Sequence, residues 1–456
     1  MYNFPEHIFK AYDIRGLADS EISTELAFRL GQSFVEFLKQ KGFDASKKIV
    51  VARDMRGTSL DLQTELIRGL TSMGVDVVDI GLATTPLFNF ACANYPEHVG
   101  GIMVTASHNP SEYNGFKITL ENGLPVGKNN GMSGIRDMCL DFDFTTAEIK
   151  GQVEKKDILP DYEKKILSMV AVDDIKKIKM IIDSGNGMGQ VTFPNLLEKV
   201  PIEVEYMYLE PDGNFPNHEA NPLKTETLQD LQKRVVDNGA DFGFALDGDA
   251  DRIGLVDEKG QVVPASFVGL VLGLEIIEKH KDDNPLALYD LRSSKIVPEK
   301  WQEAGAKTQM CPVGHSNIKK MMKEGGAVYA SELSLHLYYH DMYDLESPEL
   351  SLLLILELLS KTGKKLSEIW QEYKKYYHSG EMNFKIEDKE KVLEDLKKKY
   401  SDAKIIDLDG LSFEYPDFWF NVRLSNTEPV LRLNLEASSE DLMREKISEV
   451  RAEIEN

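Results

Sequence analysis

One arrangement recurs along this chain and limits what it can fold into: a short apolar run that breaks off into a polar loop. It occurs at Lys48-Ile-Val-Val-Ala-Arg-Asp54, over residues 102–107, at Met180-Ile-Ile-Asp-Ser-Gly-Asn186 and over residues 242–247. It returns at Leu286-Ala-Leu-Tyr-Asp290 and Ala327-Val-Tyr-Ala-Ser331. Apolar runs of this length bounded by turn formers read as buried strands. Between them, residues 21–40, 60–73 and 225–238 carry apolar positions at helical spacing. Such alternation predicts stacked α/β units with parallel or mixed sheets. In sheets of that kind the chemistry collects at the carboxyl ends of strands.

Two of these strand ends stand out. In Gly101-Ile-Met-Val-Thr-Ala-Ser-His-Asn-Pro110 the apolar run stops at a serine, a histidine and an Asn-Pro turn. Ser107 is therefore expected where an α/β sheet exposes reactive groups. An ordinary strand-to-turn junction would look much the same, so this motif alone decides little. The second strand end, Leu246-Asp-Gly-Asp-Ala-Asp-Arg252, has complementary chemistry. Asp247, Asp249 and Asp251 alternate, and side chains two apart along extended backbone point the same way. Like charges that close repel by roughly 4 kcal/mol per pair at ~4 Å and an effective dielectric of about 20. A divalent cation removes that penalty, and carboxylate oxygens favour Mg²⁺ or Ca²⁺. A helix-loop-helix calcium site is the competing reading, since Glu258 is the twelfth residue counted from Asp247. Arg252 stands where that loop needs glycine, and an arginine suits a phosphate better.

The last segment has a different texture. Residues 366–377 and 385–400 are expected to be helical, the second with a charged, solvated face. Two strand-like runs, residues 418–424 and 430–435, flank Ser425-Asn-Thr-Glu428. A hairpin presenting Ser425, Asn426, Thr427 and backbone N–H groups beside Arg423 makes a cradle for a phosphate dianion.

Taken in order, these motifs resemble the α-D-phosphohexomutase family, in particular its bacterial phosphomannomutase/phosphoglucomutase branch. The resemblance runs from Ile8-Phe-Lys-Ala-Tyr-Asp-Ile-Arg-Gly16 through Thr105-Ala-Ser-His-Asn-Pro110 and Asn114-Gly-Phe-Lys117. It continues with Asp247-Gly-Asp-Ala-Asp-Arg252, Asp290-Leu-Arg-Ser-Ser-Lys295, Val313-Gly-His-Ser316, Arg423-Leu-Ser-Asn-Thr-Glu-Pro429 and Leu431-Arg-Leu433. It implies three consecutive phosphohexomutase-type α/β domains with mixed sheets and a C-terminal α+β domain, four domains around a central cleft. The boundaries expected are residues 1–151 with the phosphoserine loop, 152–255 with the metal loop, 256–368 with the sugar-recognition loop, and 369–456 with the phosphate-binding loop. It implies a reaction too: hexose 1-phosphate and hexose 6-phosphate, of mannose or glucose, interconvert through phosphorylated Ser107 and a hexose 1,6-bisphosphate. Ser107, Asp247, Asp249 and Asp251 would hold Mg²⁺. Arg15, His108, Lys117 and Arg252 would assist transfer, while Lys295, His315, Glu332, Ser334, His336, Arg423, Ser425, Asn426, Thr427 and Arg432 would hold the substrate.

Composition agrees with a small-molecule enzyme. There are 53 basic and 76 acidic residues, a net charge of −23. No broad basic face is available for nucleic acid or an anionic membrane. Arg15, Lys117, Arg252, His315, Arg423 and Arg432 would have to make a locally positive lining for an anionic sugar phosphate. Cys92, Cys139 and Cys311 lack metal-ligand spacing and read as buried reduced thiols. Met1-Tyr-Asn-Phe-Pro5 shows no leader pattern, and no apolar run approaches the ~18 residues of a membrane span. A cytoplasmic protein, monomeric or weakly dimeric, is expected.

The chain departs from its relatives in two places. Their sugar-reading loop Gly-Glu-Met-Ser-Gly-His stands here as Ser331-Glu-Leu-Ser-Leu-His336, and their Asp-Asp-Gly as Glu346-Ser-Pro348. Glycines in such loops serve positive φ or close approach to a ligand, and leucine suits neither. The departure leaves three other readings beside the leading one. A phosphoglucosamine mutase usually has glycine where Ala250 stands and glutamine where Leu333 stands. A sugar-phosphate-binding homologue with weakened catalysis would explain Leu335 and Pro348. A Mg²⁺ phosphatase would not need a clamp for a second phosphate.

Overall fold

The expected strands form over the short apolar runs that end in polar loops, and helices fill the intervals. A computed structural model of the chain describes residues 4–44, 46–128, 130–141, 143–425 and 430–455. The chain divides into two compact units, one of residues 1–264 and 334–368, the other of residues 265–333 and 369–456.

The first unit contains two sheets of four or more strands. The six-stranded sheet runs Ile14–Leu17, Tyr113–Leu120, His98–Val104, Lys48–Arg53, Val77–Leu82 and Val153–Lys155 across its width. Tyr113–Leu120 is antiparallel to both neighbours, and the other pairings are parallel. Lys48–Arg53 and His98–Val104 are almost wholly buried, as parallel strands covered on both faces should be. Helices Thr24–Gln40 and Thr85–Asn94 begin at Ser23 and Thr84, whose side chains accept from the Leu26 and Leu87 amides. Helix Ser59–Ser72 packs against Thr24–Gln40 at backbone distance, because a Cβ on Gly69 would lie 2.1 Å from the Phe28 carbonyl oxygen. The four-stranded sheet runs Ile253–Asp257, Phe242–Leu246, Lys179–Asp183, Glu203–Met207, with only the first pair antiparallel. The short hairpin Leu337–Tyr339 and Leu345–Glu346 leads into helix Pro348–Thr362. Ser347 caps that helix by accepting from the Leu350 amide, with Pro348 in its first turn. The altered Glu346-Ser-Pro348 is thus a well-formed helix start.

In the second unit, Lys307–Cys311, Leu286–Asp290 and Tyr329–Ser331 are parallel neighbours. The C-terminal sheet is antiparallel throughout, in the order Tyr377–Phe384, Leu431–Ala437, Phe418–Leu424, Leu411–Glu414, Lys404–Asp407. Helices Lys389–Lys399 and Glu440–Glu455 accompany it, and Phe384, Leu396, Phe413, Phe420 and Val450 share its core. The expected class, α/β domains with mixed sheets followed by an α+β domain, is the one found.

Several boundaries move for identifiable reasons. The helix expected over residues 366–377 stops at Gln371, and Tyr377 opens a strand that pairs with Leu431–Ala437. The charged helix begins at Lys389, where Asp388 accepts from the Lys391 amide. Residues 225–228 are a tighter 3₁₀ turn before helix Gln229–Asn238, which ends at Gly239 with φ of 59°. Among the described residues, no helix is long and apolar enough to cross a membrane.

Candidate active site

Strand His98–Val104 ends as expected, and Ser107 follows with φ of 52°. A serine in the left-handed region costs on the order of 1 kcal/mol and persists only where its surroundings impose it. Here the chief constraint is Arg56. Its buried guanidinium donates to the carbonyls of Pro110 (2.7 Å), Tyr113 (2.9 Å), Ser107 (2.9 Å) and Asn109 (2.6 Å), and to Asp54 (3.1 Å). All five N–H donors are used, so one side chain dictates the course of the serine loop. Thr105 adds a bond from its Oγ1, which accepts from the Ser107 amide at 3.0 Å. Arg15 donates to Asn109 at 2.6 Å and pairs with Asp13.

The acidic loop lies between strands Phe242–Leu246 and Ile253–Asp257. Its carboxylates converge, but not by alternation along extended backbone as expected. Ala250 has φ of 54°, and the Asp247 carboxylate accepts from the amides of Asp251 (3.0 Å) and Arg252 (3.1 Å). A tight turn, folded around its own first carboxylate, gathers the three. One oxygen from each of Asp247, Asp249 and Asp251 lies within 4.8 Å of the others, and all three residues are buried. Glu258 belongs elsewhere: it accepts from the Ser367 amide and hydroxyl at 3.1 and 2.5 Å, which ends the calcium-loop reading.

The serine and the triad meet. Ser107 Oγ donates to Asp247 Oδ2 at 3.4 Å and lies 3.1 Å from His108 Nδ1. Lys117 Nζ donates to Asp249 at 2.5 Å and Asp251 at 2.7 Å, and Thr85 donates to the same Asp249 oxygen at 2.6 Å. Burial disfavours the Lys117 ammonium, but the two carboxylates outweigh it and hold its pKa above the usual lysine range. Burial, then Asp251 and Asp249, push Asp247 well up. Burial, then Arg252 and Arg15, push His108 well down, leaving a neutral imidazole beside the serine. Arg252 Nε lies 3.7 Å from Asp247 and donates to His336 Nε2 at 3.3 Å. His336 Nε2 also lies 3.3 Å from Asp251, and its Nδ1 is 2.8 Å from Ser334 Oγ. Leu335, between them, has φ of 69°, so the position where relatives carry glycine does demand a left-handed backbone. A small hard cation fits this set. Three buried carboxylates converge, a lysine partly neutralises two, and Asp249 Oδ1 has no hydrogen-bond partner among the described residues.

The remaining expected residues lie in the second unit. Glu332 accepts from the Gly314 amide at 3.1 Å, next to His315 at the start of helix His315–Gly325. Lys295 Nζ donates to the Tyr415 carbonyl at 3.1 Å. Arg423 and Arg432 both reach Glu381, at 3.0 and 3.1 Å. Ser425 closes the hairpin by donating its amide to the Val430 carbonyl at 3.0 Å, whereas Asn426 and Thr427 lie outside the described residues. Sequence reasoning missed Arg56, Thr85, Arg292 and Glu381. Arg56 stands two residues past another polar strand end, Arg53-Asp54, which marks a loop but not the part this side chain plays in it.

Four sheets in this order, with a serine on a carboxylate triad, define a class of phosphoryl-transferring sugar enzymes, and comparison with known proteins agrees. Alpha/beta/alpha domains I, II and III of phosphoglucomutase/phosphomannomutase match residues 6–146, 160–260 and 267–376, and the family's C-terminal domain matches residues 381–453. A phosphomannomutase of Methanocaldococcus jannaschii is 37% identical over 97% of this chain and 96% of its own length. A phosphomannomutase/phosphoglucomutase of Pseudomonas syringae is 34% identical over 96% and 92%. A crystal structure of a family protein from Burkholderia thailandensis superposes with a TM-score of 0.90 at 30% identity, covering 99% of this chain and 97% of that one. The chain belongs to the phosphoglucomutase/phosphomannomutase family. Within it, the chain is an isomerase of the phosphotransferase mutase type.

Proposed function

We propose that this enzyme interconverts the 1- and 6-phosphates of mannose or glucose by way of a phosphorylated Ser107 and a hexose 1,6-bisphosphate. The observation that carries this reading is the Ser107 hydroxyl at 3.4 Å from Asp247, within a buried carboxylate triad. Asp247, Asp249 and Asp251 would hold Mg²⁺, which supplies neutralisation of charge on the phosphoryl oxygens when bound. Ser107 carries the phosphoryl group, its backbone fixed by Arg56 and Thr105. Transfer breaks the bond between the serine oxygen and phosphorus and forms one to a sugar hydroxyl, whose proton ends on the serine or a neighbouring base. Neutral His108 orients the serine, and Arg15, Lys117 and Arg252 steady the charge that develops. Lys295, His315, Glu332, Ser334 and His336 read the sugar, while Arg423, Ser425, Asn426, Thr427 and Arg432 take the phosphate that is not being transferred. Three buried thiols with raised pKa suit a reducing cytoplasm, where the enzyme is proposed to act as a monomer or weak dimer.

Incubation with mannose 1-phosphate or glucose 1-phosphate, Mg²⁺ and a trace of the 1,6-bisphosphate tests the reading. Appearance of 6-phosphate supports it; inorganic phosphate would point to a phosphatase, and neither product to a binding protein. Ser107→Ala should abolish turnover while sugar-phosphate binding stays measurable. Asp249→Asn should raise the Mg²⁺ requirement, and an unchanged requirement would remove the triad from its role.

A further inference from the structure

In the second unit, three arginines gather on a single carboxylate. Arg292, Arg423 and Arg432 place a guanidinium nitrogen 3.1, 3.0 and 3.1 Å from Glu381. Burial disfavours the charged Glu381, but the three guanidiniums outweigh it and hold its pKa below the ordinary glutamate range. Arg292 is also chelated by both oxygens of Asp290 and lies 3.6 Å from Glu332, so its charge is answered without Glu381. Arg423 is different. It is 1% exposed, its terminal nitrogen donates to Glu381, and its Nε has no hydrogen-bond partner among the described residues. A buried arginine with one donor unmet is poised to take another acceptor.

Several arginines around one compact anion is also how a phosphate is bound. We infer that Glu381 is a resident substitute for phosphate, a carboxylate that competes with the incoming dianion for Arg423 and Arg432 and keeps its binding weak. The inference rests on the reading of Arg423 and Arg432 as phosphate ligands. It follows from charge. Without Glu381 the arginines would repel one another, and an arriving phosphate would gain their full attraction. With Glu381 present, phosphate gains only the excess over an anion already paired, so it binds less tightly and leaves more readily. A mutase whose sugar carries phosphate at either end must release each one in turn.

The test is equilibrium binding of inorganic phosphate to the full-length protein, wild type and variants. Arg423→Gln identifies the part of phosphate binding that belongs to this cluster. For Glu381→Gln, which keeps shape and removes charge, that part is expected to tighten at least threefold, with KM for hexose 1-phosphate falling in parallel. Glu381→Asp, too short to reach all the arginines, should tighten it less, and serves alone if the glutamine variant does not fold. A purely structural glutamate would give the opposite sign, since splayed arginines bind phosphate more weakly. Unchanged or weakened phosphate binding in the Glu381 variants, with Arg423→Gln still harmful, overturns the inference and leaves the ligand reading intact. If Arg423→Gln has no effect on phosphate binding, the ligand reading fails and the inference falls with it.

Discussion

Three of the residues with left-handed backbone, Ser107, Ala250 and Leu335, sit in loops of the candidate site, and none is glycine. Each stores on the order of 1 kcal/mol, and strain of this kind collects where a fold over-determines a position for function. Gly248 shows how tightly the serine and metal loops are fitted: a Cβ there would lie 2.6 Å from the Ser107 carbonyl oxygen. Gly248→Ala should therefore displace Ser107 against Arg56 and lower kcat at least tenfold, about 1.4 kcal/mol in the barrier. Near-normal melting beside near-normal turnover would show that the loops tolerate separation. Leu335 poses a choice between two effects. Mutation to glycine would relieve roughly 1–2 kcal/mol of left-handed strain but remove a leucine that is 5% exposed, typically worth ~2–5 kcal/mol. Burial wins, so Leu335→Gly is expected to lower stability in denaturant titration, and a gain would mean that the side chain anchors nothing. The need for positive φ at this position was legible from the glycine its relatives carry. Arg56 was not legible, because nothing in Asp54-Met-Arg56 distinguishes a guanidinium bonded to four carbonyls from a solvated one.

At the scale of elements, strand ends were easier to read than the turns that follow them. Leu286–Asp290 and Phe418–Leu424 begin and end where an apolar run closing on a polar residue, and an aromatic-rich alternation, respectively predict. The acidic loop converges as its composition demanded, yet through a turn at Ala250 rather than through extended alternation. Strand Tyr377–Phe384 escaped notice for a physical reason: Gly380 has φ of 71°, and the pairing slips between His378 and Glu381, which breaks the two-residue period. Glu381 was hidden with it. Helix Pro348–Thr362 yields a pH prediction. Glu349 in its first turn is buried and accepts from Tyr162 at 2.7 Å; burial raises its pKa above 4.5 despite that bond. The folded state then holds the proton more tightly than the unfolded state. This contribution to stability is complete below pH 4.5 and is lost as pH rises through the raised value. Glu349→Gln should flatten that slope, matching wild type in acid and exceeding it at neutral pH. Parallel pH–stability curves for the two proteins would rule this out.

Across the whole molecule, the chain passes between its two compact units at residues 264–265, 333–334 and 368–369. Cys92 and Cys139 lie in the first unit and Cys311 in the second, all buried. Burial raises all three thiols and pushes Cys139 up to about 12, so none should react with a thiol reagent in the native protein. In rising denaturant, Cys92 and Cys139 should become labelled together and Cys311 at a midpoint of its own; one shared midpoint would mean that the units melt as one. Lys117 has a consequence on the same scale. Because its ammonium already bridges Asp249 and Asp251, the folded polypeptide carries a counter-ion of its own for two of the three carboxylates. Chelation of divalent ions is therefore expected to leave the folded protein standing, and a large drop in melting temperature after chelation would show that this internal cation does not suffice.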